Sequence, residues 1–82
     1  MAHKTELPYG SFEQVAEEIG NLRYDALAEF LSKLHEKMAR DAQADASRGR
    51  HQLSGRLQET GALLEGASFE VKKAWELCSK FV

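Results

Sequence analysis

The feature that most constrains this chain is a heptad repeat of small and apolar residues that runs from Leu53 to Phe81. Its members are separated by alternating steps of four and three residues, and only Thr60 among them is polar. Such a repeat predicts one long helix that lies along at least one other helix. The repeat positions are Leu53, Leu57, Thr60, Leu64, Ala67, Val71, Ala74, Cys78 and Phe81.

The length of 82 residues predicts a single domain with a small core. A core of this size is marginal unless a disulfide, a metal or a second subunit stabilises it. Cys78 is the only cysteine, so an intramolecular disulfide is excluded, and a reduced thiol in a cytoplasmic protein is expected. Residues 1–6 precede no apolar run, so we expect no signal peptide, and no stretch has the apolar length of a membrane span.

The charge is unevenly distributed along the chain. The net charge is −2, which argues against a general nucleic-acid-binding protein. Residues 1–47 contain five basic and nine acidic residues, a net charge of −4, whereas residues 48–82 contain six and four, a net charge of +2. This asymmetry suits two helices, or two copies of the chain, in antiparallel contact, although ordinary variation of surface residues would also produce it.

The N-terminal part predicts an irregular arm and a short helix. Pro8 and Gly10 disfavour helix in residues 1–10. Ser11 and Gln14 have the spacing of a capping box, so a helix is expected over residues 11–20. Gly20 should end this helix, and the alternative is one helix that continues through Gly20.

A second helix is predicted over residues 22–47 and a third over residues 50–80. The stripe of the second helix turns from apolar to charged over its last two turns. Gly49 can adopt the left-handed conformation that closes a helix, so residues 47–49 should form a turn. A bent continuous helix through residues 41–56 is the alternative. The stripe consists of Leu27, Phe30, Leu31, Leu34 and Met38, followed by Asp41, Asp45 and Arg48.

These elements predict an all-α fold: a short N-terminal helix and a long antiparallel helical hairpin, with two copies dimerising into a four-helix bundle. Antiparallel pairing places Leu34 opposite Leu64. It also places Leu31 opposite Ala67 and Met38 opposite Thr60, so that large side chains face small ones at these two levels. The third helix should extend beyond the second, and we expect the short first helix to fold back over Trp75 and Phe81.

A second face of the third helix predicts an association surface. Gly55, Ala62, Gly66 and Phe69 lie nearly opposite the heptad repeat at 100° per residue. Glycine inside a helix costs about 1 kcal/mol relative to alanine, so small residues beside Phe69 suggest that a helix of a second copy approaches here. The alternative is an exposed Phe69 next to glycines that are merely tolerated.

Charged residues are expected to gather at the hairpin turn. The simplest interpretation is a salt-bridge network that joins Asp41 to Arg56, and Asp45 to Arg48 or Arg50. A phosphate or nucleic-acid site built on the arginines is a second interpretation, and a metal or acid–base site at Asp41, Asp45 and His51 is a third. The candidate polar cluster is Asp41, Asp45, Arg48, Arg50, His51 and Arg56.

The sequence thus favours a cytoplasmic, non-enzymatic protein–protein interaction or scaffold module that acts as a homodimer. An unidentified protein is the expected further partner, and neither a cofactor nor a membrane is expected. The alternatives are a nucleic-acid or anion-binding regulator that uses the basic hairpin turn, and a metal-binding or acid–base site.

Overall fold

The structure is a computed structural model that describes residues 3–81; Met1, Ala2 and Val82, parts of the predicted arm and domain, lie outside the described residues. Helix α1 spans Phe12–Gly20, α2 spans Tyr24–Ser47 and α3 spans His51–Cys78, which a 3-10 turn at Ser79–Phe81 extends. Helices α2 and α3 pack against each other along their length. The predicted all-α fold with an antiparallel helical hairpin is therefore confirmed.

The capping box at the start of α1 is present. The Ser11 hydroxyl accepts a hydrogen bond from the Gln14 backbone amide at 3.2 Å, and the Gln14 side chain accepts one from the Ser11 amide at 2.9 Å. Before it, an isolated backbone bridge joins Leu7 to Gly10, whose φ of 139° requires a glycine. The arm thus ends in a tight turn that leads directly into α1.

The break between α1 and α2 exists as predicted, but α2 begins two residues later than expected. Asn21 ends α1, because its amide donates to the carbonyls of Glu17 and Glu18. The residue at the N-cap of α2 is Arg23. Its guanidinium binds both carboxylate oxygens of Asp25, at 2.7 and 2.8 Å.

Residues 48–50 reverse the chain through a Schellman motif. The amide of Arg50 donates to the carbonyl of Asp45 at 2.8 Å, and the amide of Gly49 donates to that of Ala46 at 3.0 Å. Gly49 has a φ of 77°, the left-handed conformation that this motif needs. The hairpin turn is therefore confirmed, and the bent continuous helix is excluded.

The two long helices meet along a seam of small residues. The Ser68 hydroxyl donates to the carbonyl of Ala28 at 2.7 Å, and His35 Nδ1 lies 2.8 Å from the carbonyl oxygen of Gly61. Such bonds from a short side chain to the backbone of the opposite helix require a close helix-to-helix approach. The seam repeats every seven residues on both helices, at Ala28, His35 and Ala42 on α2 and at Ser54, Gly61 and Ser68 on α3.

The predicted heptad repeat lies beside this seam rather than in it. Leu57, Leu64 and Val71 are half-buried on one flank of the seam, while Leu53 and Thr60 are exposed. Apolarity alone selects the leucine positions, whereas the helices approach most closely where side chains are smallest. The expected pairings shift for the same reason, since Ala28 rather than Leu31 occupies the contact line.

Helix α1 does not fold back over the end of α3, so that prediction is wrong. Phe81 remains 86% exposed and Phe12 remains 60% exposed. Instead, the Arg23 guanidinium lies over the Trp75 ring, 5.1 Å from its centroid. A cation thus occupies the face of Trp75 that α1 was expected to cover.

The molecule is a single layer of helices. Its Cα dimensions are 50 × 27 × 13 Å, those of an elongated and flat molecule. Among the described residues, only Ala28 and Ala42 are buried apolar residues, and no large side chain is fully buried. No described helix is long and apolar enough to cross a membrane. The hairpin therefore has two broad faces that no other element of residues 3–81 covers.

Candidate functional site: the open face and the hairpin tip

One broad face of the hairpin is apolar, and we call it the open face. Helical geometry places its residues on the same flank of the small-residue seam in both helices. Their side chains are half-buried at the inner positions and more exposed at the edges, where Leu53 is 46% exposed. The open face comprises Leu27, Leu31, Leu34 and Met38 of α2 and Leu53, Leu57, Leu64, Val71 and Cys78 of α3.

The predicted association surface lies on the other side of α3. Phe69 is 58% exposed, and the Lys73 ammonium lies 4.5 Å from the centroid of its ring. A methyl group added at Gly55 or Gly66 would meet no atom within 4 Å, so both positions face open space. Polar side chains of the same flank, such as Glu65, surround this surface. The role of Gly55, Ala62, Gly66 and Phe69 in association remains a prediction, since the protomer leaves them uncovered.

The hairpin tip contains one of the predicted ion pairs. Arg50 Nη1 lies 3.3 Å from Asp45 Oδ1, and the Asp45 side chain is only 12% exposed. In the Schellman motif, the amide of Arg50 also donates to the carbonyl of Asp45. Asp45 and Arg50 are therefore linked twice, by a side-chain ion pair and by a backbone hydrogen bond.

The other predicted pair, Asp41 to Arg56, is wrong. Asp41 binds the ammonium of Lys37, one turn earlier on the same helix, at 2.6 and 2.7 Å. The i,i+4 spacing makes Lys37 a local partner, which needs no ordering across the hairpin. Within residues 3–81, Arg48, His51 and Arg56 are exposed and form no side-chain ion pair. The tip therefore presents basic groups that the nearby carboxylates do not neutralise.

We expect Arg50→Ala to destabilise the protein by about 1–3 kcal/mol, because the buried Asp45 carboxylate loses its partner. Arg48→Ala is the matched control at the same turn, and it should change the free energy of unfolding by less than about 0.5 kcal/mol because Arg48 is exposed. Urea denaturation of both variants measures the difference. Equal effects would mean that the Asp45–Arg50 pair contributes nothing specific to the turn.

The geometry does not support the metal hypothesis. Among residues 3–81, no group of three or more histidine, cysteine, aspartate or glutamate side chains is close enough to hold an ion. Asp41 is bound to Lys37 and Asp45 to Arg50, while His51 is exposed at the start of α3. The carboxylates of Asp41 and Asp45 are therefore paired with basic side chains of the same chain.

His35 is an interhelical contact that the sequence patterns did not reveal. Its Nδ1 donates to the Gly61 carbonyl, so the proton of the neutral ring lies on Nδ1. Its Nε2 lies 3.4 Å from a carboxylate oxygen of Glu65, which is one helical turn along α3. The signal that could have revealed this contact is the seven-residue spacing of Ala28, His35 and Ala42.

A cation–π contact between Arg23 and Trp75 joins the two helices at the end opposite to the tip. The hydrogen bond from the Arg23 guanidinium holds the pKa of the Asp25 carboxyl below its usual value, and Asp25 in turn raises the pKa of Arg23. Because Arg23 also covers Trp75, the pair positions this cation between the start of α2 and the end of α3. Asp25 thus orients the Arg23 side chain, which connects the start of α2 to the end of α3.

Comparison with protein-family models, with curated proteins and with solved structures finds no match to this chain. The class of molecule is therefore defined by its own geometry: a one-layer helical hairpin with a small-residue seam, an uncovered apolar face and a basic tip.

Proposed function

We propose that the chain is a non-enzymatic protein–protein interaction module of the cytoplasm that acts as a homodimer. In this dimer, two hairpins close their open faces against each other and form a four-helix bundle. The observation that carries the proposal is the amount of surface that the protomer exposes.

The protomer exposes far more surface than a compact monomer of its size. Its accessible surface is 6663 Å², whereas a compact monomeric protein of 9.2 kDa exposes about 4,900 Å². Its Cα radius of gyration is 15.2 Å, against about 12 Å for a compact domain of this length. The excess, about 1,700 Å², exceeds the roughly 800 Å² that each partner buries in a standard interface.

The chemistry of the open face suits a second copy of the chain. The central positions of the face are leucine, methionine and valine, and charged groups occur on it only near the tip, at Asp41 and Asp45. Burial of apolar area contributes about 25 cal/mol per Å². Two such faces in contact would supply the core that buried Ala28 and Ala42 alone do not provide.

Sedimentation equilibrium tests the proposal directly. We expect the protein to be dimeric at about 10 μM, a concentration above the dissociation constant of a stable dimer. The thermal midpoint should also rise with protein concentration, because folding and association are coupled. A well-folded monomer with a concentration-independent midpoint would refute the proposed homodimer.

The second candidate function is anion or nucleic-acid binding at the hairpin tip. The observation that favours it is the pairing of Asp41 with Lys37, which leaves Arg56 without the carboxylate expected to neutralise it. Arg48, Arg50 and His51 lie in the same turn. A mobility-shift assay with mixed oligonucleotides at several salt concentrations tests this candidate, since phosphate contacts weaken steeply as salt rises. The absence of salt-dependent binding would exclude it.

A further inference from the structure

The segment that contains α1 and the hairpin tip carry opposite charges. Between residues 5 and 22, the chain contains four acidic residues and no basic one: Glu6, Glu13, Glu17 and Glu18. Between residues 48 and 58 it contains Arg48, Arg50, His51 and Arg56 and no acidic residue. Only Arg50 of this group has a carboxylate partner among residues 3–81.

The acidic residues of α1 cannot reach the tip of their own protomer. Helix α1 joins the hairpin at the start of α2, and the tip lies at the other end of this helix of 24 residues. At a rise of 1.5 Å per residue, the two ends are about 36 Å apart. A three-residue connection followed by the nine residues of α1 is too short to span this distance.

Within residues 3–81, helix α1 has no extensive packing contact with the hairpin. Its apolar stripe contains Phe12, which is 60% exposed, and Val15 and Ile19, which are only half-buried. Glu13, Glu17 and Glu18 occupy the remaining face. An amphipathic helix with an incompletely covered apolar stripe has apolar area that a second copy of the chain could bury.

We propose that the two hairpins of the dimer lie with their tips at opposite ends, so that α1 of each copy docks beside the basic tip of its partner. This inference rests on the proposed homodimer and specifies its arrangement. The acidic side of α1 faces Arg48 and Arg56 of the other copy, and its apolar stripe covers the adjoining edge of the open face. Two equivalent contacts result from the twofold symmetry.

A distance between spin labels at the tip tests the arrangement. The protein is labelled at Gln52→Cys, an exposed position, in a Cys78→Ser background. Tips at opposite ends place the two labels about 40 Å apart, the length of the hairpin, whereas tips at the same end place them within about 25 Å, roughly two helix diameters. The shorter distance would overturn the arrangement.

Charge reversal provides an independent test that keeps the Asp45–Arg50 pair intact. One variant carries Glu13→Lys, Glu17→Lys and Glu18→Lys, and a second carries Arg48→Glu and Arg56→Glu. In low salt, each should raise the dimer dissociation constant about tenfold, because like charges then face each other. A chain that carries all five changes should recover the original dissociation constant.

The outcomes separate the arrangement from the dimer itself. If the unmodified protein is monomeric in sedimentation experiments, the proposed homodimer and this arrangement both fail. If it is dimeric and neither charge-reversed variant weakens the dimer, the homodimer stands and the docking of α1 on the tip is refuted. Circular dichroism of each variant confirms that helicity is preserved before its dissociation constant is compared.

Discussion

Leu64→Glu is expected to produce the largest loss of association of any single change on the hairpin. Leu64 lies near the middle of the open face, half-buried within the protomer. In the proposed dimer, the new carboxylate would be enclosed between two apolar faces without a partner, which costs several kcal/mol. We expect the dissociation constant to rise at least about a thousandfold, equivalent to roughly 4 kcal/mol.

Analytical ultracentrifugation measures this effect, and Phe69→Glu is its matched control. Phe69 lies on the opposite flank of α3 and is 58% exposed, so the same added charge should leave the dimer intact if the open face is the interface. Leu64→Met, which keeps the volume and the apolar character, should also remain dimeric. Dissociation by Phe69→Glu but not by Leu64→Glu would instead establish Gly55, Ala62, Gly66 and Phe69 as the association surface.

Gly61→Leu is expected to destabilise the hairpin more than any other change in the seam. A Cβ atom at Gly61 would lie 3.2 Å from His35 Nδ1 and 3.7 Å from the His35 carbonyl oxygen, so even one methyl group is tight. A leucine would force the helices apart and break the His35–Gly61 hydrogen bond. Overpacking of this kind costs about 1–3 kcal/mol, and the lost hydrogen bond adds about 1 kcal/mol.

Gly66→Leu is the matched control for this prediction. Gly66 also lies inside α3, but a Cβ atom there would meet nothing within 4 Å. Replacement should therefore stabilise the helix by about 0.5–1 kcal/mol through helix propensity alone. Thermal or urea unfolding compares the two variants, and equal destabilisation at both positions would contradict the seam. If Gly66→Leu instead weakened the dimer, the glycine surface would contact a second copy.

The elements themselves could be predicted because their signals are local. The Ser11–Gln14 capping box and Gly49 act through neighbouring backbone groups, and the structure places helix boundaries within about two residues of the expected ones. The Asp45–Arg50 pair could be predicted from the sequence for the same reason, because both residues belong to one turn. Local hydrogen bonds do not depend on how the helices pack.

The seam could not be found from apolar periodicity. Ser54, Gly61 and Ser68 appear polar or neutral in a heptad count, whereas Leu57 and Leu64 score as core. Close approach of two backbones selects small side chains, and their contribution appears only when both helices are present. The Asp41–Arg56 pair failed for a related reason, since Lys37 satisfies Asp41 within α2 before any contact between helices is made.

The sequence by itself determined that this chain forms three helices and that the chain reverses direction between the two long ones. It also indicated that the third helix carries more apolar surface than a two-helix hairpin can bury. Each of these properties follows from side-chain pattern and turn chemistry over a few residues. Only the tertiary structure decided which face of each helix becomes the seam. The Ala28–Ser68 and His35–Gly61 contacts place the leucines of the heptad repeat on one flank of the seam. These leucines therefore form part of the open face instead of the contact between α2 and α3.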